Sequence, residues 1–334
     1  MLIYVSINLL CGGIFLFVTA CSNTDPYFNL AMEEYFLSHR AEEFVLLWRN
    51  APSIIVGRNQ ITENEINGDF VRTNALPAVR RLTGGGAVYH DLGNINFSFI
   101  TNGADFSSCP ALCAPILEFL HSLGVNAEFS GRNDITVCGK KISGTARCIK
   151  NGRLLFHGTL LFNADLAAMG EALKVQKKKL IGNGVQSVRG RVANITEYLS
   201  ERMSADDFYK YLEQYISDSN SRYELTARDK AQINAIRDSR YIKDEWNYGG
   251  GHAVLTRLPC GSIGIEKTVS GGIIEQLHIR GDFIGLRDIS SLEQRLTGIP
   301  CSASAVSAAL HGEDISQYVC GITQDELIKI ITEG

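Results

Sequence analysis

The chain has 334 residues, 45% of them hydrophobic and 20% charged, with a formal net charge of -4. That is a globular composition, long enough for a sizeable core and two domains, and it excludes the basic footprint of a nucleic-acid binder. Nine cysteines, an odd number with no C-x-x-C pair, exclude a disulfide framework or zinc site and read as reduced cytosolic usage.

In chain order, Leu2 to Ala20 is strongly apolar, but no Lys or Arg precedes it as in a signal peptide. Residues 1 to 14 read as an extension and Phe15 to Ala20 as a short buried strand, so a cytoplasmic chain without a membrane anchor is expected. Asp25 as N-cap and Pro26 in the first turn predict a helix to about His39, with Phe28, Ala31, Met32, Tyr35 and Phe36 as its apolar face. Val45 to Trp48 and Ser53 to Val56 read as strands around the Asn50-Ala51-Pro52 turn, and the second runs into Gly57-Arg58-Asn59-Gln60.

The next stretch, RRLTGGGAVYHDLGNINFSFI from Arg80 to Ile100, is unlike ordinary core. Gly84, Gly85 and Gly86 suit a chain that turns through positive φ or approaches a ligand closely, and such a turn can aim several backbone N–H groups at one anion. A tight loop between strands is the alternative. Beyond it, Ile95, Phe97 and Phe99 alternate with Asn96 and Ser98 as in a half-buried strand.

A helix is expected from Cys109 to Leu123, stopped by Gly124. Gly131-Arg132-Asn133-Asp134 then leads to a strand at Ile135 to Cys138, a hairpin turn at Gly139-Lys140, and a returning strand begun by Lys141. Taken alone, that lysine also suits a solvated strand edge. His157 has no second metal ligand at useful spacing and reads as a hydrogen-bonded structural histidine. A helix from about Leu166 follows, then the Gly-rich segment Gly182 to Arg189. Two helical runs cover Ser204 to about Ile242. After the Gly249-Gly250-Gly251 junction, paired strands are expected at Gly261 to Lys267 and Gly272 to Arg280, with helices near Ser290 to Leu296 and Ser302 to Leu310.

Several of these segments together resemble the lipoate-protein ligase A family: TDPYFNLAMEEY at Thr24 to Tyr35, GRNQ, RRLTGGGAVYHDLGN, then GRND with KISGTA from Lys141, and the Gly182 to Arg189 loop. The tail resembles the accessory domain of bacterial ligases of this type. The resemblance implies an α+β fold, with mixed β-sheets and flanking helices. It implies a catalytic domain like biotin ligases and class II synthetases over residues 15–245 and a small α/β accessory domain over 252–334.

The implied activity is ATP-dependent conversion of lipoate to lipoyl-AMP, then transfer to a lysine of lipoyl domains in 2-oxoacid dehydrogenase E2 subunits or of glycine-cleavage H protein. Lys141 takes the family's catalytic position. Arg80, Arg81, Thr83, Gly84, Gly85, Gly86, Val88, Tyr89, His90 and Asn94 would surround the lipoyl group, although Val88 and Tyr89 equally suit core packing. Asp134, Lys141, Ser143, Gly144, Gly182, Gly184 and Val185 would hold the nucleotide, with magnesium on Asp134. Two rivals stay open: an octanoyl transferase using a thioester on Cys148, and a lipoate- or lipoyl-domain-binding module without catalysis.

Overall fold

Asp25 starts the first long helix: its carboxylate accepts from the Tyr27 N–H at 3.0 Å, and Pro26 sits where no intrahelical N–H is required. The computed structural model describes residues 16–102, 109–130, 133–174, 191–218, 220–249, 251, 253–258 and 261–333. Strand β1 (Phe17–Ala20) leads into this helix, α1 (Pro26–His39), which is followed by β2 (Phe44–Trp48) and β3 (Ser53–Val56). The expected apolar face of α1 is buried, and so are Asn29, Glu33 and Glu34. The reason is double packing, since a helix at Ala227–Ile236 covers the side that the sheet does not.

Two short helices, α2 (Thr62–Glu65) and α3 (Gly68–Thr73), precede β4 (Ala78–Arg80), β5 (Val88–His90) and the long β6 (Asn94–Asn102). Helix α4 (Cys109–Ser122) then gives way to β7 (Glu128–Ser130), β8 (Asp134–Val137), β9 (Lys140–Lys150), β10 (Arg153–Leu161) and α5 (Leu166–Ala172). With β11 (Ser221–Arg222), these build an eight-stranded sheet ordered β11-β1-β2-β6-β10-β9-β8-β7, parallel at β11-β1-β2 and antiparallel elsewhere. A small sheet, β4-β3-β5, packs through Ile54, Val56 and Tyr89 against Leu161 and α5.

β6 is not the half-buried strand that its alternation predicts. Ile95, Phe97 and Phe99 enter the main core on one face, while Asn94, Asn96 and Ser98 are equally buried on the other. Alternating polarity marks two faces but does not say that the polar one meets water.

Arg80 ends β4 as a clamp rather than as the cavity residue implied by the resemblance. Its Nε donates to Trp246 O at 2.7 Å, and its terminal nitrogens to Gly57, Arg58, Gln60 and Asn247 carbonyls and Thr62 Oγ1. All of the guanidinium N–H groups are thereby used within the protein.

Downstream, β12 (Thr256–Leu258), β13 (Gly261–Ser270) and β14 (Ile273–Gly281) form an antiparallel sheet. It shares a separate core, including Leu277, Phe283, Leu292 and Leu310, with helices at Ile289–Leu296 and Ala303–Ala309. A further helix, Gln324–Glu333, buries Leu327 and Ile331 and was missed by the sequence pattern. This unit sits on the glycine-rich loop. Gly85 N–H donates to Phe283 O at 2.9 Å, Gly281 N–H to Asn59 O at 2.8 Å, and Ile149 N–H to Leu286 O at 2.8 Å. A Cβ on Gly84 would stand 2.5 Å from Phe283 O, so only glycine permits this approach.

Two outcomes are expected from these contacts. Gly84→Ala should push the C-terminal unit off the loop, giving faster tryptic cleavage near Lys243 and a larger radius of gyration in scattering; unchanged profiles would show that the contact is not a constraint. Arg80→Ala should lower unfolding stability in urea by roughly 3–5 kcal/mol, because buried acceptors lose a charged donor.

Candidate active site

The floor of the site is a lateral row across the large sheet. Asp134 on β8 pairs with Gly144 on β9, whose N–H donates to Thr159 Oγ1 at 3.3 Å; Thr159 pairs with Asn96 on β6, and Asn96 with Trp48 on β2. All five residues line one cavity of ≈ 650 Å³, walled by apolar groups that include Leu30, Ile55, Val88 and Leu161.

Lys141 reaches this face through a bulge. Ile135 pairs with Ser143 but Thr136 with Lys141, so Ile142 is an extra residue and the alternation of β9 reverses there. In a strand with regular alternation, Lys141 would point away from the face that Gly144 shows to the cavity. Its Nζ instead lies 2.7 Å from Asp134 Oδ1, with both side chains about one-third exposed. Gly144 makes room for it, since a Cβ there would come within 2.9 Å of Nζ.

The glycine-rich loop is held from below by a directional chain of hydrogen bonds. Arg81 Nε donates to Thr83 Oγ1 at 3.0 Å, and Thr83 Oγ1 lies 2.8 Å from His157 Nε2. His157 Nδ1 lies 2.8 Å from Glu33 Oε1, which also accepts from Ser98 Oγ at 2.6 Å; Ser98 in turn accepts from Trp48 Nε1 at 3.0 Å. With an ionised Glu33, Nδ1 carries the histidine hydrogen and Nε2 accepts from Thr83. His157 is thus the structural, hydrogen-bonded residue expected from sequence. Arg81 further donates to the Ile55, Gly84 and Gly86 carbonyls; burial lowers its pKa to about 10, with Glu33 opposing the shift, and it stays charged at neutral pH.

Of the residues implied for the site, Arg81, Gly85, Gly86, Val88, Tyr89, His90, Asn94, Asp134, Lys141 and Gly144 line the cavity. Arg80, Thr83, Gly84 and Ser143 do not: Arg80 is the clamp described above, Thr83 belongs to the supporting chain, Gly84 meets Phe283, and Ser143 is fully buried within β9. Gly85 turns at φ 90°, and its N–H is engaged by Phe283 O, not open to the cavity. Gly182, Gly184 and Val185 lie outside the described residues. Glu33, Asn50 and Asn96 escaped sequence reasoning. The motif containing Glu33 was noted, but nothing local marks a helix glutamate as buried.

The cysteine alternative is corrected by its setting. Cys148 is half-buried on β9, where it pairs with Leu155, and it lines a different, smaller pocket with Gly84 and Asp288, not this cavity. Desolvation, with Glu33 nearby, pushes its thiol up, away from the thiolate that a thioester mechanism needs. Among the described residues no group of three or more His, Cys, Asp or Glu side chains could hold a metal, and no helix is long and apolar enough to cross a membrane.

Residues 25–217 match the lipoyl protein ligase A/B catalytic domain, and residues 252–331 match the bacterial lipoate protein ligase C-terminus. Bacillus subtilis lipoate-protein ligase LplJ is 41% identical over 95% of this chain and 99% of its own; Staphylococcus aureus lipoate–protein ligase 1 is 40% identical over the same shares. Among solved structures, P. falciparum LipL1 in complex with lipoate superposes with a TM-score of 0.78 at 24% identity, covering 95% of this chain and 99% of that one. Lipoate-protein ligase A bound with ATP gives 0.60 at 28% identity, covering 71% and 98%. Thermoplasma acidophilum bi-partite lipoate protein ligase, studied with its E2 lipoyl domain, gives 0.63 at 27%, covering 72% and 99%. With both parts matched and relatives aligned along nearly their whole length, this chain belongs to the lipoate-protein ligase family.

Proposed function

We propose that this cavity activates lipoate with ATP and passes the lipoyl group to a protein lysine. The observation that carries the reading is the placement of Lys141 beside Asp134 at one end of a largely apolar cavity, with no cysteine among the described residues that line it. A carboxylate cannot acylate an amine at neutral pH, because its oxygen is a poor leaving group. Attack of a lipoate oxygen on the α-phosphorus of ATP forms the mixed anhydride and breaks the bond to pyrophosphate. The acceptor amine then attacks the acyl carbon, AMP leaves, and one proton is released. Negative charge builds on phosphoryl oxygens first and on the acyl oxygen second, so a fixed cation at the join serves both steps.

Lys141 is that cation, and its partly exposed ion pair with Asp134 can exchange for phosphate oxygens. Asp134 offers one carboxylate, which fits a magnesium ion that arrives with the nucleotide's phosphates and keeps most of its other ligands from them and from water. Such an ion would supply further neutralisation of phosphate charge. Arg81, held in place by the loop carbonyls, presents a buried positive charge to the acyl end, and Gly86 leaves open space above it. The glycine triplet at Gly249 to Gly251, with Gly251 at φ 60°, is the proposed hinge between the two units. Swinging the C-terminal unit away would free the Gly85 N–H for a developing oxyanion. Lipoyl domains or the H protein are the proposed acceptors and the cytoplasm the proposed location.

Purified protein with ATP, magnesium and lipoate should release pyrophosphate only when lipoate is present. Lys141→Ala should lower that rate by about 10²–10³-fold; lipoate-independent release, or full activity in the variant, would overturn the assignment.

The same cavity predicts a pH effect on stability. Burial, with Arg81 and His157 nearby, pushes the His90 imidazole from its ordinary 6.5 down to about 3. Between those values the unfolded chain binds a proton that the folded one refuses. Unfolding free energy at this site should therefore be fully present above pH 6.5 and fall by up to about 1.4 kcal/mol per pH unit as acid is added. Urea unfolding of wild type and His90→Gln at pH 6.5 and 5 measures the difference; parallel losses in both would remove His90 as the cause.

A further inference from the structure

A second pocket, of ≈ 290 Å³, lies where the C-terminal unit meets the catalytic one and shares no lining residue with the cavity around Lys141. Its charged lining is unbalanced. Arg58, Lys150 and Arg240 come from the catalytic unit and Arg287 from the C-terminal unit, against one lining carboxylate, Asp288. That carboxylate already caps a helix, since its Oδ1 accepts from the Ser290 N–H at 3.0 Å.

The partners these cations have are shared or distant. Lys150 and Arg240 both donate to Glu34 Oε1, which Lys150 Nζ meets at 3.0 Å and which lies outside the pocket lining. Arg287 meets Glu313 at 3.3 Å, and Glu313 also serves Arg295. The Arg58 side chain makes no hydrogen bond to another described residue; Asp288 Oδ2 stands 3.7 Å from it, and its guanidinium lies over the Trp246 ring at 4.4 Å. Arg240 lies over the same ring at 4.9 Å. Arg58, Lys150, Arg240, Arg287 and Arg295 thus answer to three carboxylates, Glu34, Asp288 and Glu313, and positive charge is left over.

A cleft lined by one sign of charge concentrates the opposite ion. The side chains of the four lining cations are between 31% and 53% exposed, so their spare N–H groups can reach an incoming ligand. A carboxylate would present two oxygens on one side. A phosphate group carries more charge and presents oxygens all round, which suits donors converging from two units, and the guanidinium fork matches pairs of its oxygens. At roughly 30 Å³ for a water molecule, the pocket has room for such an ion with part of its hydration.

We propose that this pocket is a second anion site, taking inorganic phosphate or pyrophosphate, and that the bound ion fastens the C-terminal unit to the catalytic one. Arg287 follows Leu286, whose carbonyl accepts from the Ile149 N–H at 2.8 Å, so the ion would sit beside an existing contact between the units and reinforce it. On the lipoate-activation reading pyrophosphate is the enzyme's own product, and its accumulation would hold the Gly85 N–H on Phe283 O.

The test is calorimetric titration of the full chain with sodium phosphate and, separately, with pyrophosphate, with neither ATP nor acid present. Wild type is compared with Lys141→Ala, which removes the cation of the main cavity, and with Lys141→Ala carrying Arg58→Gln or Arg287→Gln in addition. Lys141→Ala should still bind the ion, and either added substitution should weaken that binding by about tenfold or more. The ion should also slow tryptic cleavage near Lys243 in wild type but not in Arg287→Gln. The tighter of the two probes names the source, free phosphate or the product. Binding that vanishes in Lys141→Ala would place the ion in the main cavity, binding indifferent to Arg287→Gln would leave it without a bridge, and unchanged cleavage would remove the fastening; each overturns the proposal. Failure here leaves the activation reading standing, because lipoate-dependent pyrophosphate release is measured separately.

Discussion

One buried carboxylate, Glu33, sets the arrangement on which the site depends. It is 2% exposed in the middle of α1 and answers the equally buried guanidinium of Arg81 through Thr83 and His157. Neither charge is tolerable there alone, because removing one partner of a buried ionic network leaves the other desolvated and uncompensated. The pairing fixes more than energy. It assigns the hydrogen on His157, aims Arg81 at the loop carbonyls, and through Ser98 orients the Trp48 indole at the cavity floor. Helix, large sheet and glycine-rich loop are thereby registered by one chain of hydrogen bonds, in which each donor has only one way to point.

The loop held in this way faces two directions. Gly86 lies toward the cavity, while Gly84 and the Gly85 N–H are engaged by the Phe283 carbonyl of the C-terminal unit. A backbone donor cannot serve that carbonyl and a reacting oxygen at once. The position of the C-terminal unit and the electrostatics of the loop are therefore linked through a single N–H. Arg80 belongs to the same frame, since Trp246 and Asn247, which receive its hydrogen bonds, stand just before the junction to that unit.

What could be read in the sequence was what is decided locally. The Asp25-Pro26 start of α1, the strands at residues 53–56 and 94–102, and the hairpin before Lys141 all follow from capping, alternation and turn chemistry within a few residues. The two signature segments also pointed to one cavity. The rest depends on what lies above or beside a residue. Asn96 looks like a solvent-facing position, yet it is buried on the cavity side of the sheet. Arg80 and Arg81 are adjacent and chemically identical, yet one is consumed by carbonyls outside the cavity and the other lines it. Lys141 reached the correct face only because Ile142 is an extra residue in the ladder, a reversal that no count along β9 alone predicts.

The two ends of the cavity differ in a way that orients a substrate. At one end the Lys141–Asp134 pair is partly exposed, so its mutual attraction is screened and readily exchanged for an incoming anion. At the other, His90, Asn94 and Asn96 sit away from water, and a charged group arriving there would be stripped of hydration with only neutral dipoles in return. An acid can thus enter with its tail inward far more easily than with its carboxylate inward. The partly wet, exchangeable end suits a charged group that must react, and the dry, fixed end an uncharged group that does not.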